Sequence, residues 1–397
     1  MGRVDNTNDP IVITAAKRTP MGSFQGKLAG LSAPQLGSIA IQAALSAAPH
    51  PPIDEVFMGN VLPAGVGQNP ARQAALGAGL AQAIPACTVS KVCGSGMKAL
   101  ILGHDSIAAG SNNCVVVGGM ESMSNAPYLL PKVRAGLRLG HSEVKDHMFT
   151  DGLEDAYSGR LMGTYAEDTA EAYQFSRAEQ DAYAITSLHR AIQAQETGAF
   201  ADEMVAIDQA QGRSTIKLDT DEQPGKVDID RIAQLRPAFR DGGTVTAANS
   251  SSISDGAAAL VLMRASQAEK MNIKPMAVMV GHAGHAREPA QFTTAPIGAV
   301  NILLDKLGWR SSQVDLYEIN EAFAVVAMAA LRDLSLPSDI VNVNGGACAL
   351  GHPIGASGAR IVVTLLHSMM ARGAKRGIAA LCIGGGEATA VGLELLI

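Results

Sequence analysis

Short apolar runs alternate with Ala-rich amphipathic segments through the first third of the chain. In chain order they predict strand 11–15, helix 33–47, strand 56–61, helix 70–81, strand 87–92, helix 96–109 and strand 114–117. Strands that alternate with helices in this way are typical of parallel βαβ units. The pattern therefore predicts an α/β protein whose sheet is covered by helices.

The last third of the chain repeats this pattern. VGGME at 117–121 is similar to IGGGE at 383–387, GSG at 94–96 to ASG at 356–358, and MGN at 58–60 to EIN at 318–320. The three matches occur in the same order and at similar offsets, which indicates an internal repeat. We therefore predict two related halves, residues 1–122 and 275–397.

The region between the halves has a different character. Residues 125–241 contain nearly half of the charged residues and several Tyr, and 177–197 form an amphipathic helical pattern. We predict an inserted domain over 123–245, with a return to the N-terminal half over about 246–274. Active sites of α/β folds lie at the carboxyl ends of strands, often beneath such insertions.

Composition excludes several classes of function. The chain has 397 residues, of which 47% are hydrophobic and only 4% aromatic, so the core must be built mainly from aliphatic side chains. The net charge is -6, and no Lys/Arg cluster is interleaved with aromatics, so we expect no nucleic-acid partner. No apolar run reaches the roughly 18 to 20 residues of a membrane span, so we expect a soluble protein with no membrane association.

The cysteines and the chain ends indicate a compartment. The five Cys lack C-x-x-C spacing, which argues against zinc sites and a disulfide framework and favours free thiols under reducing conditions. Residues 1–10 have no apolar or Arg-rich segment, so we expect neither a secretory signal nor a transit peptide. The C-terminus carries no recognisable address signal. A cytoplasmic location follows as the expectation.

One candidate nucleophile stands between a strand and a helix. Cys93 lies in VCGSGMK at 92–98, where a turn would place its thiol at a helix N-terminus. Unpaired N–H groups and the helix dipole stabilise a thiolate there. The alternative is a buried structural Cys in a Gly-rich turn, and this segment alone does not decide between them.

Three further segments carry candidate chemistry. His352 lies in the Gly-rich loop VNVNGGACALGHPIGASG at 341–358, ahead of a helix predicted over 355–366, and could activate a nucleophile. Cys382 ends an apolar strand before three glycines, and Asn320 ends another strand in YEINEAFA at 317–324. The alternatives are a structural His, a core Cys beside a backbone nest, and a simple helix N-cap at Asn320.

Together these segments resemble the thiolase family, and the resemblance covers nearly the whole chain, from AKRTP at 16–20 through ESMS at 121–124 to the C-terminal glycines. It implies two βαβαβαββ halves that form a layered α/β core with an inserted loop domain. It also implies an acyltransferase that reversibly condenses two acetyl-CoA to acetoacetyl-CoA and CoA, or runs the reverse thiolysis. No cofactor beyond the substrate coenzyme A is implied.

The resemblance assigns the catalytic roles. Cys93 would accept the acetyl group in a ping-pong mechanism, His352 would activate it, and Cys382 would move protons at the second acetyl group. A water held by Asn320 would form one oxyanion hole with His352. The N–H groups of Cys93 and Gly384 would form the other.

The resemblance also implies substrate contacts. The insertion would bind CoA, and the residues that match family positions at the CoA and acyl groups are Met162, Phe239, Ala247, Ser251, Phe292, Ala322 and Phe323. Leu161 replaces a His usual in short-chain members, and Phe292 replaces a Met as in a branch that accepts 2-methyl substrates. Tyr183, Ala247 and Ala248 are similar to that branch as well, in which a potassium ion lies near the CoA loop.

The family commonly forms a tetramer built from dimers, and we expect the polar segment 125–140 to form the second interface. Other functions remain open: a 3-oxoacyl-CoA thiolase of broader chain length in β-oxidation, a condensing ketosynthase, a non-catalytic thiolase-like lipid carrier or scaffold, and a Cys-His hydrolase. The second thiol, Cys382, argues against the ketosynthase and the hydrolase. The sequence fixes neither the direction of flux nor the acyl chain length.

Overall fold

The computed structural model describes residues 9–47, 51–211 and 214–396. Its helices are α1 (Ala33–Ser46), α2 (Pro70–Gly77), α3 (Ser95–Ala108), α4 (Met162–Tyr173), α5 (Arg177–Glu196), α6 (Ala265–Lys270), α7 (Ala295–Leu307), α8 (Ala324–Asp333), α9 (Ala347–Leu350) and α10 (Ser357–Arg372). Its strands are β1 (Ile11–Arg18), β2 (Gly22–Ser23), β3 (Glu55–Gly59), β4 (Ala86–Val89), β5 (Cys114–Ser122), β6 (Tyr128–Leu129), β7 (Lys145–Asp146), β8 (Ile207–Gln211), β9 (Ser214–Leu218), β10 (Ser254–Arg264), β11 (Ala277–Ala286), β12 (Leu316–Ile319), β13 (Arg376–Ile383) and β14 (Glu387–Leu395).

The main sheet contains both halves of the chain. Its strand order is β12-β13-β14-β11-β1-β10-β5-β3-β4, and β2 pairs with β10. The halves meet where β1 pairs with β11 through Val12↔Val278 and Ile13↔Ala277. The parallel pairing expected of βαβ units is found between β3 and its two neighbours and between β12 and β13, whereas the other pairs in this order are antiparallel. The antiparallel pairs arise because β10 returns from the insertion and β14 follows β13 through a tight turn.

Helices cover the sheet in layers. One apolar cluster packs α1 and α2 on one face of the N-terminal strands, and another packs α7 on the C-terminal strands. The largest cluster lies between the halves and is formed by α3, α10 and the inner faces of both sets of strands. The structure is therefore a layered α/β core with two related halves and an insertion, as expected.

Glycine at two equivalent positions brings the central helices together. A Cβ at Gly96 of α3 would lie 2.8 Å from the backbone nitrogen of Ala359, and a Cβ at Gly358 of α10 would lie 2.5 Å from that of Met97. No side chain fits at such distances, so each helix can approach the other only through glycine. This contact explains why GSG and ASG recur in the two halves.

Several predicted boundaries were wrong. Helix α2 ends at Gly77 rather than 81, near Gly79 with φ +85°, and β4 ends at Val89 rather than 92 because the chain turns there toward α3. Helix α10 begins at Ser357 and continues to Arg372. Asn320 is not an N-cap, since α8 begins at Ala324 and the preceding residues form backbone hydrogen bonds with the segment 249–251.

The insertion contains α4, α5 and two short strand pairs, β6-β7 and β8-β9, between β5 and β10. It is tied to the core by the buried Arg18 of β1, whose guanidinium pairs with Glu203 and Asp221. Among the helices of the described residues, none is long and apolar enough to cross a membrane. Residues 1–8 and 397, which contribute to the expected lack of targeting signals, lie outside the described residues.

Candidate active site

The nucleophile candidate is held in a strained turn between β4 and α3. Val92 has φ +45°, in the left-handed region that a β-branched residue rarely adopts. The Ser95 hydroxyl stabilises the turn: it donates to the Val92 carbonyl at 2.6 Å and accepts from the Lys91 N–H at 2.8 Å. The turn leaves Cys93 partly exposed at the wall of a cavity.

The surroundings keep this thiol protonated. Burial raises the pKa of Cys93 to about 11, and the carboxylate of Glu121 acts in the same direction. The backbone N–H groups of Gly384 and of Cys93 itself hydrogen-bond to the sulfur and lower the pKa, but less than burial raises it. The helix N-terminus therefore does not give a thiolate by itself, contrary to the sequence-based expectation, and a base is needed.

His352 is built to be that base. Its Nδ1 lies 2.5 Å from the Ser357 hydroxyl oxygen, and this hydroxyl donates its proton to the Pro353 carbonyl at 2.9 Å. The hydroxyl oxygen must therefore accept from Nδ1–H, which assigns the proton to Nδ1 and a lone pair to Nε2. Within the described residues Nε2 has no hydrogen-bond partner. Burial, with a smaller effect of Arg360, lowers the pKa of His352 to about 3, so the imidazole is neutral.

The second thiol comes from the C-terminal half. Cys382 ends β13 and is fully buried, and burial raises its pKa well above the usual range, with a further effect of nearby Cys93. The following turn needs glycine, because Gly385 and Gly386 have φ of +91° and +88°. This turn also presents the N–H of Gly384 to the Cys93 sulfur.

Asn320 offers an amide that the described residues leave unpaired. The residue is 1% exposed, and neither Nδ2 nor Oδ1 has a hydrogen-bond partner among them. Its backbone N–H donates to the Ala380 carbonyl at 3.0 Å, which fixes the end of β12 beside β13. A buried, unpaired amide of this kind can bind a water molecule or a substrate oxygen.

One apolar cavity of about 380 Å³ brings most predicted site residues together. Its lining includes Cys93, His352, Gly384, Met162, Phe239, Ala247, Ser251, Phe292, Ala322 and Phe323, together with Leu161. Cys382 packs in the same apolar cluster as Phe292 and Phe323, behind the cavity wall. The residues quoted from separate motifs thus surround a single space.

Aromatic rings form one wall of this cavity. Phe292 is 3% exposed, and its ring meets those of Tyr165 and Phe323 edge to face, with centroids 6.4 Å apart in each pair. Phe239 meets Phe323 in the same way at 5.9 Å. Such pairs add stability beyond area burial, so the wall is preformed.

Sequence reasoning missed residues that shape the site without belonging to a chemical motif. Phe149, Leu153, Ser252 and Ile354 also line the cavity, and no local pattern marks them. Glu121, which appeared only as part of a repeat, accepts hydrogen bonds from the backbone of Val61, Leu62 and Gly355. It therefore joins the N-terminal half to the loop that carries His352.

One of the predicted potassium residues, Tyr183, lies beside Glu321. The Tyr183 hydroxyl donates to Glu321 Oε1 at 2.9 Å, and Asn342 Nδ2 lies 3.4 Å from the same hydroxyl. Ala247 lines the cavity, and Ala248 packs against α5 and α9. A potassium ion at these residues stays a prediction.

Comparison with known proteins gives the family. The model of the thiolase N-terminal domain matches residues 11–266, and that of the thiolase C-terminal domain matches residues 273–395. The chain therefore belongs to the thiolase family. The predicted boundaries at 122, 245 and 275 stay predictions.

Individual relatives narrow the assignment within the family. An acetyl-CoA acetyltransferase of Schizosaccharomyces pombe is 50% identical over 391 residues, which cover 98% of this chain and 99% of the relative. The crystal structure of Acat5 thiolase from Ascaris suum in complex with coenzyme A is 41% identical with a TM-score of 0.93, covering 98% of this chain and 100% of that one. The Bacillus anthracis acetyl-CoA acetyltransferase structure is 39% identical with a TM-score of 0.95 over 98% and 99%. The chain is an acyltransferase of this family.

Proposed function

We propose that the protein is an acetyl-CoA C-acetyltransferase that works by a ping-pong mechanism through an acetyl-Cys93 intermediate. One observation carries the proposal: a protonated thiol, a neutral imidazole with a free Nε2 and the N–H of Gly384 all face a single apolar cavity. The names of the relatives, acetyl-CoA acetyltransferases, support acetyl-CoA as a substrate.

In the first half-reaction, His352 Nε2 takes the proton of the Cys93 thiol as the sulfur attacks the acetyl-CoA carbonyl. The oxygen that becomes negative is received by the N–H groups of Cys93 and Gly384. The tetrahedral intermediate then collapses, the bond to the CoA sulfur breaks, and the Cys382 thiol gives its proton to the CoA thiolate, while His352 keeps the proton of Cys93 as an imidazolium. Each preorganised donor contributes roughly 3 to 4 kcal/mol to this transition state.

In the second half-reaction, Cys382 acts on a proton rather than on an acyl group. The thiolate left on Cys382 removes a proton from the methyl carbon of the second acetyl-CoA, and the resulting enolate oxygen is stabilised by the His352 imidazolium and a water on Asn320. The carbon then attacks acetyl-Cys93, whose sulfur leaves as a thiolate and takes the proton back from His352. The products are acetoacetyl-CoA and the free enzyme, and thiolysis is the same path in reverse.

Chain length separates this proposal from its nearest alternative. Phe292 and Met162 close the acyl end of the cavity, which favours a short acyl group over the longer substrates of a β-oxidation thiolase. A non-catalytic lipid-binding role is disfavoured because the nucleophile, base and second thiol are all present.

We also propose a homotetramer and a cytoplasmic location. The segment 125–140, which the sequence indicated to be polar, exposes Tyr128, Leu130, Val133, Leu137 and Leu139, the last at 98%. Contiguous apolar surface on a projecting segment is typical of an interface. Light scattering should give four chains per particle, and a stable monomer would contradict the tetramer.

Intact-mass spectrometry tests the proposed chemistry. After incubation with acetyl-CoA the protein should gain one acetyl group, Cys93→Ala should gain none, and Cys382→Ala should still gain one. Acetylation that persists in Cys93→Ala and is lost in Cys382→Ala would refute the assignment. Thiolysis of acetoacetyl-CoA, its 2-methyl analogue and a longer 3-oxoacyl-CoA, assayed side by side, would then define the substrate.

A further inference from the structure

Three potential metal ligands converge away from the catalytic cavity. His104 and Asp105 lie on α3 of the N-terminal half, and His282 lies on β11 of the C-terminal half. One ligand atom from each lies within 4.8 Å of the other two. In the part of the chain that the structure describes, no other group of three His, Cys, Asp or Glu side chains meets this condition.

The distances suit a small divalent ion. His104 Nδ1 lies 3.1 Å and His282 Nε2 lies 2.9 Å from the same carboxylate oxygen of Asp105. Ligand atoms that share a tetrahedral zinc at bond lengths of about 2.0 to 2.2 Å are roughly 3.3 Å apart. The two histidine–carboxylate distances would therefore need to lengthen by only a few tenths of an ångström, and the two imidazole nitrogens, which lie within 4.8 Å of each other, would need to approach the same separation.

We propose that His104, Asp105 and His282 form a binding site for a divalent first-row transition metal such as zinc, which joins helix α3 to strand β11. Two imidazoles and one carboxylate are a common ligand set for such ions. The Asp105 side chain is 50% exposed, so a metal can enter from solvent and water can complete its coordination.

A backbone contact orients one of these ligands. The His104 ring also hydrogen-bonds to the backbone of Met279, a contact that orients metal-bound histidines.

One neighbouring charge opposes the metal. Lys306 lowers the pKa of both histidines, and its ammonium donates to the His282 carbonyl at 3.2 Å. Its repulsion weakens the site, so Lys306→Met should raise the affinity for zinc. The expected change in zinc affinity for Lys306→Met is therefore opposite to the change expected when a ligand is removed.

Zinc titration of the full-length protein by isothermal calorimetry tests the site. His282→Gln should weaken one binding event by at least about tenfold, because removal of even an outer contact of a metal site costs that much. His285→Gln is the matched control, since His285 lies on the same strand outside the cluster. Thermal melting without metal should show that each variant folds like the parent.

Cobalt(II) distinguishes this site from the catalytic thiols, since thiolates are also zinc ligands. In the parent, the absorption spectrum of the first equivalent of bound cobalt(II) should show no thiolate charge-transfer band. In His104→Gln this cobalt spectrum should be absent. The proposal is overturned if His282→Gln and the parent titrate alike, if the only bound cobalt shows thiolate ligation, or if no zinc binds, in which case the cluster is a hydrogen-bonded triad only.

Discussion

Removal of one hydroxyl should disable the proposed base while the catalytic side chains stay in place. Ser357→Ala deletes the acceptor for His352 Nδ1–H, at 2.5 Å, inside a fully buried site. The Pro353 carbonyl, which the hydroxyl also bonds, keeps two backbone N–H donors at 2.9 Å, from Ala356 and Ser357. The substitution therefore leaves the imidazole Nδ1–H without its hydrogen-bond acceptor, while the carbonyl keeps its other donors.

The expected loss follows from that orphaned donor. An unsatisfied buried polar group costs about 1 to 3 kcal/mol. The ring can avoid this cost by moving its proton from Nδ1 to Nε2, but Nε2 can then no longer accept the proton of the Cys93 thiol. A penalty of that size on the competent tautomer corresponds to a fall of about 5- to 150-fold in kcat/KM. The rate of acetyl-Cys93 formation, measured by rapid quench and intact mass, should fall by the same factor.

A second buried serine of α10 provides the control. Ser368 is 3% exposed and accepts a hydrogen bond from Asn344 Nδ2 at 3.0 Å, remote from His352 in sequence. Ser368→Ala should lose a comparable amount of unfolding free energy and keep its acylation rate. Equal acylation rates in Ser357→Ala and the parent, or an equal loss in Ser368→Ala, would refute the tautomer argument.

Three further outcomes are expected. Cys382→Ala should slow thiolysis and condensation by orders of magnitude while Cys93 is still acetylated, and near-normal turnover would remove Cys382 from the mechanism. Alkylation of Cys93 by iodoacetamide should accelerate from about pH 7 to about pH 10, because burial raises the pKa of this thiol to about 11; a plateau near neutral pH would show a thiolate instead. Phe292→Ala should raise kcat/KM for 3-oxooctanoyl-CoA relative to acetoacetyl-CoA by about 5- to 150-fold, since repacking of the filled site costs roughly 1 to 3 kcal/mol, and an unchanged ratio would show that the ring does not limit the chain.

The internal repeat could be predicted from the sequence because its cause is local. Gly96 and Gly358 occupy equivalent helix starts, and each is required by the close approach of α3 and α10. The α/β class was likewise visible in the alternation of apolar runs and Ala-rich segments. The antiparallel pairs were not visible in that pattern, because the pairing of β10 with β5 depends on a return from an insertion of more than a hundred residues.

Element ends were less predictable where tertiary contacts set them. The predicted strand continued to Val92 across the polar residues Ser90 and Lys91, whereas β4 ends at Val89 and the turn that carries Cys93 follows. Asn320 has the side chain of an N-cap, but backbone hydrogen bonds to the segment 249–251 delay the start of α8 to Ala324. At Asn320 a tertiary contact therefore prevails over local propensity.

The chemical residues of the site could be found, but not the residues that determine how they act. Cys93, His352 and Cys382 were marked by side-chain chemistry and neighbouring glycines. The partners that set the protonation of His352 could not be found in this way: Ser357 is an ordinary helix residue in the sequence, and Arg360 is a buried cation one turn further along. Their effect depends on distance, which the sequence does not contain.

The contact between the two central helices also explains why the catalytic groups meet. Cys93 directly precedes the start of α3, and the His352 loop directly precedes the start of α10. Because Gly96 and Gly358 let the first turns of these helices touch, the loops before them must meet as well. A third glycine, Gly59 at the end of β3, lies against the same point, where a Cβ would be 2.5 Å from the Gly96 nitrogen. Duplication of one βαβ unit, followed by packing of its two copies through glycine, is therefore sufficient to bring a thiol from one half within reach of an imidazole from the other.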